Sequence, residues 1–261
     1  MHIDAPPQWG RVDFISDLHL QATDTATLDA WSQYLHGTTA DAVFILGDLF
    51  EVWVGDDAIA DANSFEARCT QVIAKAVAQR PVYIMHGNRD FLMGQQLMAA
   101  CGAQLLSDPC VLAFAGERWV LTHGDALCLD DLPYQAFRTS VRSAAWQQAF
   151  LAKPLAERQQ IARALRDQSE ARKAAETQYA DVDTPAAIAL LREANAHHMI
   201  HGHTHKPGHH TLAPNLERTV LSDWDLLART PRAEVLRIAA STTSRERIRR
   251  IAPALATTRQ D

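Results

Sequence analysis

Side chains that can bind metal ions recur at the ends of short apolar runs in this sequence of 261 residues. The candidate ligands are Asp17, His19, Asp48, Asn88, His123, His203 and His205. Carboxylates, an amide oxygen and imidazoles, without a thiolate, suit a first-row divalent ion. Because seven ligands exceed the needs of one tetrahedral site, we predict a two-metal centre with open positions for water and substrate. Two neighbouring ions can stabilise both the attacking and the leaving oxygen of a phosphoryl transfer.

The spacing of these residues is consistent with shared ions. On an extended backbone, alternate residues such as Asp17 and His19 can point the same way, and His203 and His205 repeat this spacing. Asp48 stands at the tip of an apolar run, where its carboxylate could bridge two ions. One such motif alone is more often a turn or a buried histidine. Unpaired polar groups at five strand ends would, however, be costly without a common partner.

Buried strands are predicted where short apolar runs precede these clusters, at 12–15, 42–46, 82–85, 119–121 and 198–200. Apolar residues at helical spacing separate the first three runs. This alternation predicts an α/β fold, in which ligand sites lie beyond the carboxyl ends of the strands. A hairpin turning at 115–117 and short runs at 219–221 and 235–238 predict a second, more antiparallel sheet packed on the first.

The stretch from 132 to 180 has a different pattern, with apolar residues at helical spacing and no strand signal. It contains eight basic and four acidic residues, whereas the rest of the chain is acidic. We interpret it as an inserted helical cap, apolar on one face and basic on another, although a helical hairpin with solvated arginines explains the pattern equally well. The expected organisation is a core of residues 1–131 and 181–241, a cap of residues 132–180 and a flexible tail of residues 242–261.

The composition restricts the classes of function. The formal net charge is −6, which argues against a protein whose whole surface serves to bind nucleic acid. No stretch approaches the roughly 18 apolar residues of a membrane span, and the first residues lack the layout of a secretory signal. Four cysteines without a CxxC pair suggest neither a disulfide scaffold nor a zinc ribbon, so a cytoplasmic location is expected.

The ordered motifs SDLHL, GDLFE, GNRD, THGD and HGHTH resemble those of the calcineurin-like metallophosphoesterases. The resemblance implies an α/β fold, a two-sheet β-sandwich flanked by helices. It also implies that one ion is held by Asp17, His19, Asp48 and His205. The second ion would be held by Asp48, Asn88, His123 and His203.

Longer matches at 47–57, 86–94, 123–131 and 134–138 are similar to the branch of this family that hydrolyses UDP-2,3-diacylglucosamine, typically with manganese. This similarity implies two Mn²⁺ ions per chain and water attack on the phosphorus next to uridine. The products would be UMP and 2,3-diacylglucosamine 1-phosphate, an intermediate of lipid A biosynthesis. The expected catalytic residues are Asp48, Arg89, His123 and His203.

Arg89 stands where the family usually carries a histidine that can protonate a leaving alkoxide. A phosphate leaving group, with a second pKa of about 6, needs no strong acid to protonate it. A guanidinium can instead donate two parallel hydrogen bonds to the phosphate oxygens. Arg89 therefore favours cleavage of a phosphoanhydride, although an ion pair with Asp90 or another surface acid is an alternative interpretation. The same resemblance implies substrate contacts at Asn88, Arg89, Asp131, Ser169, Lys173 and His203, with Arg172 as the alternative to Lys173 if the register shifts.

An apolar and basic cap suits a lipid-linked diphosphate, since acyl chains need an apolar cleft and an anionic membrane surface attracts Arg and Lys. We therefore expect a cytoplasmic enzyme in peripheral contact with the inner membrane, with neither nucleic acid nor an obligate protein partner. One alternative is another metallophosphoesterase, a phosphodiesterase or phosphatase, which would have no use for such a cap. The other is a non-catalytic lipid- or nucleotide-binding scaffold, which would be free to lose ligands.

Overall fold

Two six-stranded β-sheets form the centre of the computed structural model, which describes residues 1–175, 181–240 and 248–258 and, within 167–175, the backbone alone. The strand order in the first sheet is β1 (His2–Asp4), β6 (Cys110–Phe114), β7 (Glu117–Leu121), β8 (His198–His201), β10 (Leu216–Val220) and β9 (Gly208–Ala213). The order in the second sheet is β12 (Ile248–Ile251), β11 (Val235–Ala239), β2 (Arg11–Ile15), β3 (Ala42–Leu46), β4 (Val82–Met85) and β5 (Gln104–Leu106). Strands β2 to β5 run parallel, whereas β11 pairs antiparallel with both β2 and β12.

Helices flank the two sheets. The helices on the core are α1 (Thr25–Gly37), α2 (Phe65–Val77), α3 (Gln95–Cys101), α7 (Thr184–Glu193) and α8 (Pro253–Ala256). Three more, which we call the cap, are α4 (Leu132–Val141), α5 (Ala144–Leu151) and α6 (Leu155–Ala175). Helices α1, α2, α4, α5 and α7 each follow an Asp or Ser whose side chain accepts a hydrogen bond from the backbone N–H three residues on. Among the described residues, none of these helices combines the length and apolarity needed to cross a bilayer.

The parallel strands are buried on both faces, which is why they read as continuous apolar runs in the sequence. In β3, Phe44 and Leu46 face the other sheet, whereas Val43 faces the helices. Phe44 stacks between Phe14 of β2 and Tyr83 of β4, with ring centroids 5.1 and 4.6 Å away. This packing fixes the strand ends, and the predicted α/β fold with two packed sheets is confirmed.

The C-terminal segment takes part in the fold where the structure describes it. Strand β12 extends the second sheet, and α8 lies against α1. Arg237 of β11 donates to the backbone oxygen of the buried Ala256 at 3.0 Å. The expected flexible tail therefore does not hold for 248–256, because these residues have partners in the sheet and on α1. Residues 242–247 and 259–261 of that tail lie outside the described residues.

The cap packs on the core next to the loop that follows β3. Phe150 of α5 is buried, and Trp146 joins the same apolar cluster from its edge. Arg158 of α6 is only 2% exposed, and its guanidinium donates to the backbone oxygen of Val54 and to the carboxylate of Asp57. These contacts hold α6 over the core.

Candidate metal centre

All seven candidate ligands follow the carboxyl ends of strands. Asp17, Asp48 and Asn88 come after β2, β3 and β4, which are adjacent parallel strands of the second sheet. His123 and His203 come after β7 and β8, a parallel pair in the first sheet. Because neighbouring parallel strands end at the same edge, the topology gathers residues that are far apart in the sequence.

Five of the seven ligands have a left-handed backbone, which non-glycine residues rarely adopt. The φ angles are 54° at Asp17, 48° at His19, 51° at Asp48, 67° at His203 and 52° at His205. Such conformations cost about 1–3 kcal/mol each and persist only where the surroundings hold them. One such restraint is the N–H of His19, which donates to the carbonyl of Asp48 at 3.0 Å. The extended arrangement expected of the Asp-x-His and His-x-His pairs is therefore wrong, because strained turns direct these side chains instead.

Three side chains converge on one side of Asp48. Nε2 of His19 lies 3.3 Å from Nε2 of His205, which in turn lies 3.5 Å from Oδ1 of Asp17. Oδ2 of Asp48 is 4.0 Å from Nε2 of His19. Asp17, His19 and His205 each offer a ligand atom within 4.8 Å of the other two. The structure thus brings together the first predicted group of ligands.

The remaining ligands converge on the other side of Asp48. Oδ1 of Asn88 lies 3.0 Å from Nε2 of His123 and 2.8 Å from Nδ1 of His203. Oδ1 of Asp48 lies 3.7 Å from Nε2 of His123. Asp48 therefore turns one carboxylate oxygen toward each group, as a bridging ligand would. Ligand atoms of Asp17, Asp48 and His123 also lie within 4.8 Å of one another, so Asp17 too borders both groups.

In His123 and His19, Nδ1 has a contact that faces away from the centre, which leaves Nε2 directed at the other ligands. Nδ1 of His123 lies 2.9 Å from the backbone oxygen of Leu46, so it carries the proton of this contact. Nδ1 of His19 lies 3.1 Å from Oε2 of Glu51. A neutral ring protonated at Nδ1 presents its lone pair at Nε2, the tautomer that metal-binding histidines adopt when a carbonyl or carboxylate accepts from the other nitrogen. This donor set fits a divalent first-row ion.

Two glycines allow the ligand loops to approach closely. A Cβ at Gly87 would lie 2.0 Å from Oδ1 of Asp48, and a Cβ at Gly202 would lie 2.3 Å from Oδ2 of Asp17. Any larger residue at either position would displace a ligand carboxylate. The close approach, like the donor set, therefore fits a metal centre.

The carboxylates give the centre a preference for positive charge. Burial opposes a charge on His123, yet the negative charges of Asp48 and Asp17 raise its pKa to about 9. Burial likewise opposes a charge on Asp17, but its hydrogen bond to His205 and the positive charge there hold its pKa well below the usual range. A proton on His123 occupies the place that a cation would take, so metal binding must release it.

Arg89 pairs with Glu51, at 3.1 Å between Nη1 and Oε1, rather than with Asp90. Asp90 is fully buried and accepts backbone hydrogen bonds from Gly87 and Leu49, each at 2.8 Å. Asp90 therefore ties the loop after β4 to the loop after β3. The surface ion pair considered as an alternative role for Arg89 is replaced by a contact inside the site.

A cavity of about 720 Å³ opens beside the candidate ligands and continues beneath the cap. Its polar lining includes Glu51, Asn88, Arg89, Asp131, Arg166 and Lys206. Its apolar lining includes Trp53, Phe91, Phe137, Trp146, Phe150 and Leu165. We call the part of the cavity lined by Trp53, Phe91, Phe137, Trp146 and Phe150 the aromatic chamber. The same cavity therefore reaches both the metal-ligand side chains and this chamber.

Four of the expected substrate contacts line this cavity, namely Asn88, Arg89, Asp131 and His203. Asp131 also caps α4, because its carboxylate accepts from the N–H of Tyr134 at 3.0 Å. The other two, Ser169 and Lys173, belong to α6, but their side chains lie outside the described part of the structure.

Two acidic residues with several partners at the site are not anticipated by the sequence analysis. Glu51 contacts His19, Arg89 and Arg166. Asp125 accepts from the hydroxyl of Tyr134 and from Nε of Arg138, and so attaches α4 to the loop that carries His123. Burial opposes a charge on Asp125, but the positive charge of His123 and its other neighbours keeps its pKa below the usual range. Both acids stand inside motifs recognised in the sequence, three residues after Asp48 and two after His123, which is the signal that could have found them.

The fold and the site together define a class of hydrolase. The model of the calcineurin-like phosphoesterase family matches residues 10–207, and the chain belongs to this family of enzymes, which uses a divalent metal. The resemblance that the motifs carry is thereby confirmed.

Curated relatives narrow the similarity further. A protein of Chromobacterium violaceum named UDP-2,3-diacylglucosamine hydrolase is 48% identical over 223 residues, which cover 82% of this chain and 90% of the relative. A protein of Bordetella pertussis with the same name is 43% identical over 216 residues, covering 80% of this chain and 84% of the relative. Among solved structures, an archaeal phosphodiesterase covers 92% of this chain and 98% of its own length, with a TM-score of 0.47 and 11% sequence identity.

Proposed function

We propose that this chain hydrolyses the pyrophosphate bond of UDP-2,3-diacylglucosamine, yielding UMP and 2,3-diacylglucosamine 1-phosphate (lipid X) in lipid A biosynthesis. The oxygen of a water molecule forms a new bond to the phosphorus next to uridine. The bond from that phosphorus to the bridging oxygen breaks, and the bridging oxygen leaves with the sugar phosphate. The names of the curated relatives support this substrate.

The cavity is the observation that carries the proposal. It connects the candidate ligand Asn88 and its neighbour Arg89 with the aromatic side chains of Phe91 of the core and Trp146 and Phe150 of the cap. A diphosphate needs polar and cationic contacts, whereas two acyl chains need an apolar cleft. A small water-soluble phosphodiester would leave the aromatic chamber unused.

Two groups of side chains would each hold a divalent ion, for which we propose Mn²⁺. The first group is Asp17, His19, Asp48 and His205, and the second is Asp48, Asn88, His123 and His203. A pair of such ions would supply Lewis acidity to the phosphoryl oxygens and to the attacking water. The buried carboxylate of Asp48 would set the spacing of the two groups, because one of its oxygens faces each of them.

Arg89 would bind the diphosphate. Its backbone N–H donates to Oδ1 of Asp48 at 2.8 Å, so this substrate contact is tied directly to the shared ligand. A guanidinium can donate two parallel hydrogen bonds to phosphate oxygens and can offset the charge that develops on the leaving group. Because a phosphate leaving group has a second pKa of about 6, it departs without a proton, and no acid is needed at this position.

The remaining substrate contacts follow from the same cavity. Asn88 and His203 are hydrogen-bonded to each other at 2.8 Å and border the cavity, where they would orient the scissile phosphate. Asp131 would contact the sugar from the N-terminal cap of α4. Ser169 and Lys173 of α6 would complete the polar contacts.

We place the enzyme in the cytoplasm, in peripheral contact with the inner membrane. Leu132, Phe137 and Leu151 of the cap are large apolar residues with exposed side chains. The cap also carries an excess of basic residues. Exposed apolar groups flanked by basic residues favour the surface of an anionic membrane.

Hydrolysis in ¹⁸O-labelled water tests the reaction. The manganese-loaded protein is expected to release UMP carrying one ¹⁸O and unlabelled 2,3-diacylglucosamine 1-phosphate. Label in the lipid product would contradict the proposed point of attack. Cleavage of bis-para-nitrophenyl phosphate without cleavage of the lipid would indicate a general phosphodiesterase, and lipid binding without UMP release would indicate a non-catalytic scaffold.

A further inference from the structure

One carboxylate in the cavity wall contacts basic groups from three parts of the chain. Oε1 of Glu51 lies 3.1 Å from Nη1 of Arg89 and 2.9 Å from Nε of Arg166, while Oε2 lies 3.1 Å from Nδ1 of His19. His19 belongs to the candidate metal centre, Arg89 to the loop after β4 and Arg166 to α6 of the cap. The Glu51 side chain is 11% exposed, so water screens these contacts only weakly.

The two guanidiniums meet at a single oxygen atom. Arg89 comes from the core and Arg166 from the cap, and like charges held this close would repel each other without the carboxylate between them. A guanidinium has five N–H donors, so its contact with Glu51 does not exhaust its capacity to bind phosphate oxygens. Both arginines line the same cavity as Asn88, next to the place proposed for the diphosphate.

We propose that Glu51 is a positioning residue that holds Arg89 of the core and Arg166 of the cap side by side, so that both guanidiniums face the diphosphate. This inference rests on the proposed function and adds Arg166 to its substrate contacts. Glu51 itself does not touch the substrate. Its role is to hold the cap arginine at a constant position relative to the metal centre, since its second oxygen contacts Nδ1 of His19 at 3.1 Å.

Substitution of Glu51 by glutamine removes the charge and preserves the shape. The E51Q variant is expected to raise KM for UDP-2,3-diacylglucosamine about tenfold or more while kcat changes less than about threefold, because substrate binding is lost without loss of the reacting groups. Its manganese content per chain and its melting temperature should match the wild type. The matched control is Glu157→Gln on the same helix as Arg166, since the Glu157 side chain is 45% exposed and pairs with Lys153 at 2.5 Å.

A double-mutant cycle identifies the path of the effect. In an R166M background, the further change E51Q is expected to raise KM by a smaller factor than in the wild type, because Arg166 is one of the two arginines that Glu51 positions. Additive effects would overturn the proposal. An E51Q variant that loses manganese would overturn it too, since Glu51 would then act through His19, and so would an unchanged or lower KM. A wild-type protein that releases no UMP would instead contradict the proposed function.

Discussion

Asp48 is fixed between the two groups of candidate ligands from several directions. Its backbone carbonyl accepts hydrogen bonds from the N–H groups of Leu18 and His19, at 2.9 and 3.0 Å. Its Oδ1 accepts from the N–H of Arg89 at 2.8 Å, and its side chain is only 3% exposed. A carboxylate held in this way cannot turn toward water, so it should contribute strongly to metal affinity.

Replacing Asp48 by asparagine removes a charge that faces both groups. We expect the variant to bind less manganese and to lose more than about 100-fold in kcat, since even residues that only support a metal ligand typically contribute 10–100-fold. Metal content is measured by elemental analysis of the purified protein. Asp29→Asn, at an exposed position of α1, is the matched control and should behave as the wild type.

A variant of Arg89 should keep its metal ions and lose substrate affinity, unlike the variant of Asp48. Arg89→Ala is expected to keep the wild-type manganese content, because its guanidinium faces Glu51 rather than a ligand atom, and to raise KM about tenfold or more through the lost phosphate contact. Metal analysis and steady-state kinetics on one preparation test both statements. Equal loss of metal in the variants of Arg89 and Asp48 would contradict the roles assigned to them.

At the scale of elements, a buried ion pair joins two neighbouring strands of the second sheet, β11 and β2. Nε and Nη2 of Arg237 on β11 donate to the two carboxylate oxygens of Asp13 on β2, at 2.7 and 2.9 Å. Thr38 and Tyr34 of the α1 region donate to the same carboxylate. This network joins β11, α1 and β2, the strand that leads to Asp17 of the metal centre.

Arg237→Met should therefore destabilise the fold. The change leaves the Asp13 carboxylate buried without its charge partner, which typically costs about 3–5 kcal/mol in the free energy of unfolding. Urea unfolding monitored by circular dichroism measures the loss. Arg192→Met on the exposed face of α7 is the control, with an expected change below about 0.5 kcal/mol. A loss below about 1 kcal/mol for Arg237→Met would contradict the importance of this pair.

The elements could be predicted from the sequence where the apolar pattern is strong. The run at 42–46 is buried on both faces and coincides with Ala42–Leu46 of β3. Strands at the sheet edges, such as Gln104–Leu106 and Gly208–Ala213, lack that signal because much of their surface is exposed. Left-handed turns at Asp17 and His19 could not be predicted either, since hydrogen bonds between distant loops impose them against local preference.

At the scale of the whole molecule, the decisive feature is the cavity shared by the core and the cap. The ligand types and the basic cap could be predicted from the sequence, since both are visible as residue patterns. The contact of Glu51 with Arg166 could not be predicted, because no local pattern pairs residues so far apart in the chain. The same holds for the aromatic chamber, to which Trp53 comes from the core and Trp146 from the cap.

The position of the cap also leads to a prediction about membranes. Leu132 at the start of α4 is 72% exposed, and we expect Leu132→Asn to lower binding to phosphatidylglycerol-containing vesicles about fivefold or more, since burial of a leucine contributes roughly 1.5–3 kcal/mol. Cosedimentation measures the change. Leu255→Asn on α8 is the matched control, at 51% exposure. Equal binding by both variants would place the membrane contact elsewhere on the surface.

Anomalous diffraction from crystals grown with manganese tests the central claim most directly. The account predicts two manganese peaks about 3.5–4 Å apart. One peak should lie among Asp17, His19 and His205, the other among Asn88, His123 and His203, and Asp48 should contact both. A single peak, or peaks away from Asp48, would contradict the two-ion centre on which the proposed reaction depends.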